Sequence, residues 1–204
     1  EKCSIHTSLG DGKYRVDLKP VRIQGIGEAE ELFGAEETAN EMIAVYLFDE
    51  TEILRCRQEI NDQKMVAGLI YLDNYDEALE SVEEVRRSLL TALIDRKINK
   101  YISGMNGITK KLEKDKYFFA IKQRYVQELR DNRFSLLEEV KTVNIGNEMA
   151  VTLSIGLGMG GETYGQNYEF SRMAIDMALG RGGDQAVVKD ADKIQYYGGK
   201  AQQM

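Results

Sequence analysis

The sequence of 204 residues predicts an α+β protein, in which strands and helices alternate along the second part of the chain. Three patterns indicate this class. An apolar run at residues 65–72 leads into a long amphipathic helical pattern, two β-like runs flank a charged turn at residues 113–116, and a helical pattern at residues 168–179 lies between two further β-like runs. The resulting order, β-α-β-β-α-β, is that of a ferredoxin-like core.

The elements of this second part follow one another through short connections. Apolar residues at helical spacing between Leu79 and Ile102 define the first helix, and Glu83 and Arg87 form an i,i+4 pair on its polar face. We predict strands at residues 65–72, 107–112, 117–121, 150–156 and 186–189, and helices at residues 76–102, 124–140 and 168–179.

The first part of the chain has a different pattern. Two β-like stretches, Lys13 to Ile23 and Met42 to Phe48, surround an acidic, glycine-containing loop at residues 25–41. A helical pattern follows, and Asp49 and Thr51 at its start have side-chain oxygens that can accept the unpaired N–H groups of a first helical turn. We therefore predict a β segment at residues 1–50, a linker helix at residues 51–64 and a separate domain at residues 65–204.

The composition excludes several classes of function. The net charge of −7 argues against a broad nucleic-acid surface, because phosphate backbones require clustered excess Lys and Arg. No apolar run approaches the ~20 residues of a membrane-spanning helix. Cys3 and Cys56 are far apart, which argues against a disulfide framework or a zinc site. His6 is the single histidine, so a Ser-His-Asp or Cys-His enzyme has one candidate base, and an exposed bystander is the simpler interpretation.

Four short motifs occur in the order in which a known family has them. Tyr-Leu-Asp-Asn-Tyr at residues 71–75 stands where that family has Asp-Ile-Asp-x-Phe, and Lys-Leu-Glu-Lys-Asp-Lys-Tyr at residues 111–117 stands where it has Arg-Tyr-Gly-Gly-Asp-Glu-Phe. Val-Thr-Leu-Ser-Ile-Gly at residues 151–156 and Ala-Ile-Asp-Met-Ala-Leu at residues 174–179 match its Val-Thr-x-Ser-Ile-Gly strand and Ala-Asp-x-Ala-Leu helix. The second part therefore resembles a degenerate GGDEF domain, which has the diguanylate cyclase fold.

Two stretches indicate a more specific resemblance. Residues 72–77 and 176–186 are similar to the middle of the GdpP-type cyclic-di-AMP phosphodiesterases. Members of that family are membrane proteins with two transmembrane helices, a PAS domain, a degenerate GGDEF domain and a catalytic DHH–DHHA1 module. The resemblance covers about residues 43–200. It implies that residues 1–62 are the later strands of a PAS domain, whose closing Asp-x-Thr motif is Asp-Glu-Thr at residues 49–51.

The sequence departs from active diguanylate cyclases at two places. Tyr71 stands in place of the first metal-binding carboxylate, so the usual two-metal site cannot form. Glu113 and Lys114 stand in place of the paired glycines that let GTP approach the hairpin backbone. The chain also has no Asp-His-His motif, which the phosphodiesterase chemistry of the family needs for its paired metal ions. We therefore expect neither activity from this chain.

The resemblance implies a vestigial nucleotide site at the exit of the first strand and at the hairpin. Its candidate ligands to Mg²⁺ are Asp73 and Asp76, and its candidate nucleotide-binding residues are Asp73, Asn74, Asp76, Asp115, Lys116, Arg181 and Asp184. A structural interpretation competes at these positions. Asp76 can cap the following helix while Asp73 is solvated, and Asp115 and Lys116 can form the polar tip of a β-turn.

Two glycine-rich stretches are further candidates. The glycines between residues 156 and 165 match no phosphate-binding motif, so a mobile loop is the simpler interpretation. In the turn at residues 180–185, a helix C-cap explains at least one glycine. We expect Arg181 and Asp184 in that turn to be exposed and without a packing role, which favours contacts with a ligand or a partner.

These observations predict the regulatory middle of a cyclic-di-AMP phosphodiesterase. It would bind Mg²⁺ with ATP or a related nucleotide weakly, with slow ATP hydrolysis at most, and would relay the state of the PAS part to the DHH–DHHA1 module of the same protein. A ligand-free structural dimerisation module is the alternative, and an active diguanylate cyclase is the least favoured one.

The resemblance also implies the surroundings of this chain. We expect a homodimer through the PAS part and the linker, haem as one option for the PAS part, and no nucleic-acid partner. The chain is expected to be a cytoplasmic piece, cut from within a longer protein that is anchored in the bacterial plasma membrane.

Overall fold

The computed structural model describes residues 3–22, 41–191 and 193–198, and the chain divides into two compact units, Glu1–Ile60 and Asn61–Met204. The predicted acidic loop lies almost entirely outside the described residues. The first unit contains a three-stranded antiparallel sheet with β2 in the centre. Its strands are β1 (Cys3–Leu9), β2 (Gly12–Arg22) and β3 (Glu41–Asp49). The sequence analysis missed β1, in which Cys3, Ile5 and Leu9 alternate with Ser4, His6 and Ser8 and all seven residues are exposed.

Helix α1 (Thr51–Gln63) follows β3 after one residue. Asp49 Oδ1 accepts a hydrogen bond from the Thr51 backbone N–H at 2.9 Å, and bonds from Thr51 lower the pKa of the Asp49 carboxyl. The capping role expected for Asp49 is thereby confirmed. The same role is wrong for Thr51, because its hydroxyl oxygen instead accepts from the Lys13 backbone N–H at 2.9 Å and ties the helix start to β2.

The second unit is built on a six-stranded sheet in the order β5-β6-β4-β7-β8-β9. β7 and β8 are parallel, and every other neighbouring pair is antiparallel. The first four strands in this order have the topology of a ferredoxin-like sheet, so the predicted α+β class is confirmed. The strands are β4 (Met65–Leu72), β5 (Ile108–Lys111), β6 (Lys116–Lys122), β7 (Leu153–Met159), β8 (Gln185–Asp190) and β9 (Lys193–Gly198).

Two of the predicted helices are interrupted. The helix expected at residues 76–102 breaks at Ser81–Glu83, where the backbone of Glu83 is extended and the Ser81 hydroxyl donates to the carbonyl of Ala78 at 2.8 Å. The observed helices are α2 (Tyr75–Glu80), α3 (Glu84–Gly104), α4 (Val126–Asp131), α5 (Leu136–Lys141) and α6 (Tyr164–Gly180). None of the helices in the described part of the chain is long and apolar enough to span a membrane.

The helix expected at residues 124–140 is broken between α4 and α5. Arg133 and Phe134 both have positive φ angles, 53° and 56°, which a helix does not accommodate. Phe134 is only 1% exposed and its ring lies 5.2 Å from that of Tyr197. Burial of this large side chain offsets the backbone strain, which explains why the local helical pattern is overridden.

Helices cover both faces of the six-stranded sheet. α3, α4 and α5 pack on one face and form the main core with it, whereas α6 packs on the other face through Ala174 and Ala178 against Val187. The main core includes Ile70, Leu72, Leu90, Ile94, Ile98, Tyr117, Phe119, Leu129, Leu136, Val140, Leu153 and Ile155.

Helix α6 lies unusually close to β7. Gly156 and Gly158 belong to this strand, as predicted for Gly156, so the mobile loop expected after residue 156 is wrong for Gly158. A Cβ on Gly156 would lie 2.5 Å from the Ser171 carbonyl oxygen, and one on Gly158 would overlap the Asn167 carbonyl oxygen. The Asn167 side chain donates to the carbonyl of Met65 at 3.1 Å, which anchors α6 to the start of β4.

We predict that Gly158→Ala destabilises the second unit by about 1–3 kcal/mol, because the added methyl group must displace the α6 backbone. Gly165→Ala is the matched control, since the nearest atom to its Cβ would be the Thr163 hydroxyl oxygen at 3.7 Å. The control should be neutral or gain up to about 1 kcal/mol, because alanine favours the helix. Urea unfolding followed by circular dichroism measures both variants. Equal stability of the two would contradict the close packing.

Candidate functional site

The carboxylate of Asp73 lies at the carboxyl end of β4 and is half-buried. Its Oδ1 accepts from the Ser154 hydroxyl at 2.7 Å, and its Oδ2 accepts from the Asp184 backbone N–H at 2.9 Å. Burial raises the pKa of Asp73, and these two hydrogen bonds oppose that shift. A Cβ on Gly183 would lie 2.8 Å from the carboxyl carbon of Asp73. Asp73 therefore ties β4 to β7 and to the turn between α6 and β8.

The Asn74 amide makes a second internal clamp. Its Oδ1 accepts from the Thr152 backbone N–H at 2.9 Å, and its Nδ2 donates to the Ala150 carbonyl at 2.9 Å. The side chain thus holds the segment before β7 against the end of β4. Both polar atoms of this candidate residue have protein partners.

Asp76 and the hairpin turn meet through an exposed ion pair. Lys114 Nζ lies 2.7 Å and 2.8 Å from the two carboxylate oxygens of Asp76, and this hydrogen bonding raises the pKa of Lys114. The same ammonium group lies 5.9 Å from the centre of the Tyr75 ring. Lys114 therefore connects the hairpin to α2 at a position where cyclases resembling this chain have glycine.

Asp115 and Lys116 also lie at this end of the sheet. The Asp115 carbonyl accepts from the Leu72 backbone N–H at 2.9 Å, so the hairpin tip is fixed against the end of β4. Lys116 Nζ lies 2.8 Å from a carboxylate oxygen of Glu113 and 5.4 Å from the centre of the Tyr71 ring. Tyr71 is half-buried, and burial is the main cause of its raised pKa. An aromatic ring and two lysines thus stand where the resemblance predicts metal and triphosphate.

The turn between α6 and β8 holds the last two candidates. The exposed position expected for Asp184 is wrong, because Gly182 and Gly183 at φ of 100° and 75° fold the chain back and leave Asp184 half-buried at φ 53°. Asp184 Oδ2 lies 2.8 Å from Lys141 Nζ. Arg181 is exposed, but its guanidinium carbon lies 4.4 Å from the centre of the Tyr196 ring, so it does have a packing contact.

The structure thus gathers the candidates into two groups, Asp73 with Asp184 and Asp76 with the hairpin. Within the described ranges no three His, Cys, Asp or Glu side chains are grouped so as to hold a metal ion. Both oxygens of Asp73 accept hydrogen bonds within the protein, and both oxygens of Asp76 are held by Lys114, so Mg²⁺ at either residue would replace an existing contact. The metal-binding role of either residue stays a prediction. The sequence analysis missed Lys141 as a partner of Asp184, since no local pattern connects residues so far apart.

Comparison with known proteins shows the family of this chain. Residues 70–196 match the family described as cyclic-di-AMP phosphodiesterase GdpP-like, GGDEF domain. The chain is 30% identical over 161 residues to the cyclic-di-AMP phosphodiesterase GdpP of Geobacillus thermodenitrificans, an alignment that covers 78% of this chain and 24% of the relative. The chain therefore spans about a quarter of the length of this curated relative.

Solved structures show the same fold. A diguanylate cyclase/phosphodiesterase from Caldicellulosiruptor saccharolyticus superimposes with a TM-score of 0.53 at 16% identity, over 71% of this chain and 87% of that chain. The GGEEF domain of a diguanylate cyclase from Vibrio cholerae gives 0.52 at 12% identity, over 67% of this chain and 88% of that chain. At these identities the likeness concerns the fold alone. The family match, together with the fold, establishes that this chain belongs to the GdpP-like GGDEF domains of cyclic-di-AMP phosphodiesterases.

Proposed function

We propose that this chain is a regulatory segment of a cyclic-di-AMP phosphodiesterase, which binds a nucleotide weakly and relays a signal to a catalytic module elsewhere in the protein. One observation carries the proposal. A complete cyclase-type fold is kept while Tyr71 replaces the first metal-binding carboxylate and Glu113 and Lys114 replace the paired glycines. Such a domain is suited to binding and transmission rather than turnover, since function resides in the site and not in the fold.

The hairpin tip supports a weak nucleotide site. In this proposal Lys114 and Lys116 turn to a phosphate chain, and the exposed Asp76 carboxylate that Lys114 leaves then takes Mg²⁺. Both lysines are already paired with carboxylates, so an incoming phosphate must share or replace existing ion pairs. The site is also exposed, and solvent and salt weaken its interactions. These features favour low affinity.

A ligand-free structural module is the competing proposal, and a specific observation favours it. The polar atoms of Asp73 and Asn74 are all used in hydrogen bonds within the protein. The clamps that they form stabilise the end of the sheet without any ligand. The two proposals differ in their response to Mg·ATP.

The first unit supports the proposed relay. Among the described residues β3 lies at the edge of its sheet. It exposes large apolar side chains on both faces, with Ile43, Val45 and Leu47 on one and Tyr46 and Phe48 on the other. Helix α1 has no buried residue. Exposed apolar surface of this kind marks an interaction site, and a symmetric pair of subunits would let a change in one unit shift both copies together.

We expect Mg·ATP to bind with a dissociation constant on the order of 0.1–1 mM, measured by calorimetry. Asp76→Asn should weaken Mg-dependent binding about three- to tenfold, because the exposed carboxylate is lost without disturbing the core. Asp131→Asn is the matched control, since Asp131 is likewise exposed but lies on α4. Absence of any response at millimolar Mg·ATP, or an equal effect of both variants, would favour the structural module.

The chain should make no cyclic di-GMP from GTP and should hydrolyse no cyclic di-AMP. The first expectation rests on Tyr71, Glu113 and Lys114, and the second on the absence of an Asp-His-His motif from the sequence. Chromatography after incubation at high protein concentration measures both reactions. Product that disappears in an Asp73→Asn variant would overturn this prediction, because Asn removes the charge at nearly the same side-chain size.

We predict a homodimer formed chiefly through residues 1–62, measured by light scattering at micromolar concentration. Val45→Asp should shift the protein towards monomer, because it places a charge on a β3 face where Val45 is 62% exposed. Val85→Asp is the matched control, since Val85 is 91% exposed at the start of α3. A strict monomer, or a dimer that survives deletion of residues 1–62, would exclude this assembly.

A further inference from the structure

A groove between α3 and the end of α5 lies outside the candidate nucleotide site. Its volume is about 650 Å³, which is within the usual ~300–1,000 Å³ of small-molecule pockets. Leu93 and Tyr101 form part of its wall, and both pack against the main core. The groove therefore has a firm apolar wall on the α3 side.

Three cations of α3 line this groove, namely Arg96, Lys97 and Lys100. Lys100 lies about one helical turn after both Arg96 and Lys97, so each of these two residues is its neighbour on the helix surface. Throughout residues 3–22, 41–191 and 193–198, no carboxylate lies within 4.0 Å of any of them. Lys114 and Lys116 at the hairpin, in contrast, are paired with carboxylates.

The nearby carboxylates have other partners. Asp95 precedes Arg96 in α3, but it accepts from Lys111 Nζ at 2.9 Å and from the Tyr117 hydroxyl. Glu139 lies on the opposite wall, and its Oε1 accepts from the Ser135 hydroxyl at 2.9 Å. The groove thus contains three positive groups and one negative group, although the whole chain has a net charge of −7. Local excess positive charge in an acidic protein is the pattern expected of an anion site.

The opposite wall supplies neutral groups as well. Thr142 and Asn144 both line the groove. The Thr142 hydroxyl donates to the Glu139 carbonyl at 2.7 Å, and Asn144 Oδ1 accepts from the Gly146 backbone N–H at 2.8 Å. The Asn144 amide N–H groups have no hydrogen-bond partner among the described residues, so they are available as donors.

We propose that this groove binds a small phosphorylated molecule. Arg96, Lys97 and Lys100 contact its phosphate, the Asn144 amide donates to it, and Tyr101 and Leu93 pack against its less polar part. Guanidinium and ammonium groups make strong, charge-assisted hydrogen bonds to phosphate oxygens. The site is separate from the hairpin, so it does not depend on the proposed nucleotide site.

Inorganic pyrophosphate, titrated in EDTA at low ionic strength, probes the phosphate part of this site without Mg²⁺. We expect saturable binding by calorimetry, together with amide chemical-shift changes at Thr142 and Asn144. The Lys97→Gln/Lys100→Gln double variant should weaken binding about tenfold or more. The Lys110→Gln/Lys193→Gln double variant removes the same charge from exposed positions outside the groove and should change the affinity less than about twofold.

Three results would overturn the proposal. The first is the absence of saturable pyrophosphate binding, and the second is an equal loss in both double variants, which would indicate non-specific charge. The third is loss of binding in Lys114→Gln with no loss in Lys97→Gln/Lys100→Gln, which would assign the anion to the hairpin. Thermal unfolding of each variant confirms that the fold is retained. Failure of Mg·ATP to bind would refute the proposed nucleotide site but would not affect this one.

Discussion

The close approach of α6 to β7 determines the arrangement of the second unit. With glycine at positions 156 and 158, the helix backbone rests almost directly on the strand. Asn167 holds the helix to Met65 at one end of β4, and the Asp184 N–H holds the turn after the helix to Asp73 at the other end. Because α6 lies so close to β7, the turn that follows the helix brings Arg181 and Asp184 to the end of the sheet.

The sequence predicted the parts of the fold that local patterns encode. The apolar run of β4 and the helical spacing of α3 needed no tertiary information. The break before α5 was not predictable locally, because burial of Phe134 against Tyr197 outweighs the helical preference of its neighbours. The sequence analysis did not predict β9, although Ile194, Tyr196 and Tyr197 are residues that favour strands.

For the candidate site, the sequence predicted which residues lie at one end of the sheet but not which contacts they make. The motif resemblance placed Asp73, Asp76 and the hairpin residues near one end of the sheet. Which partner each would choose depends on contacts across 38 to 111 residues, such as Asp76 with Lys114 and Asp73 with the Asp184 N–H. A carboxylate in a motif was taken as available to a ligand, whereas Asp73 has both oxygens committed to holding β4, β7 and the α6–β8 turn together.

The central position of β4 has a consequence for how the chain folds. β4 pairs with β6 through Met65 and Lys122, and with β7 through Tyr71 and Ser154, so both partners follow much later in the sequence. Loop closure must precede these contacts, which slows folding relative to a helical protein of similar size. During synthesis, β4 emerges long before β7 is available. The backbone groups that later pair with β7 are then unpaired, and the incomplete domain is prone to association with other chains.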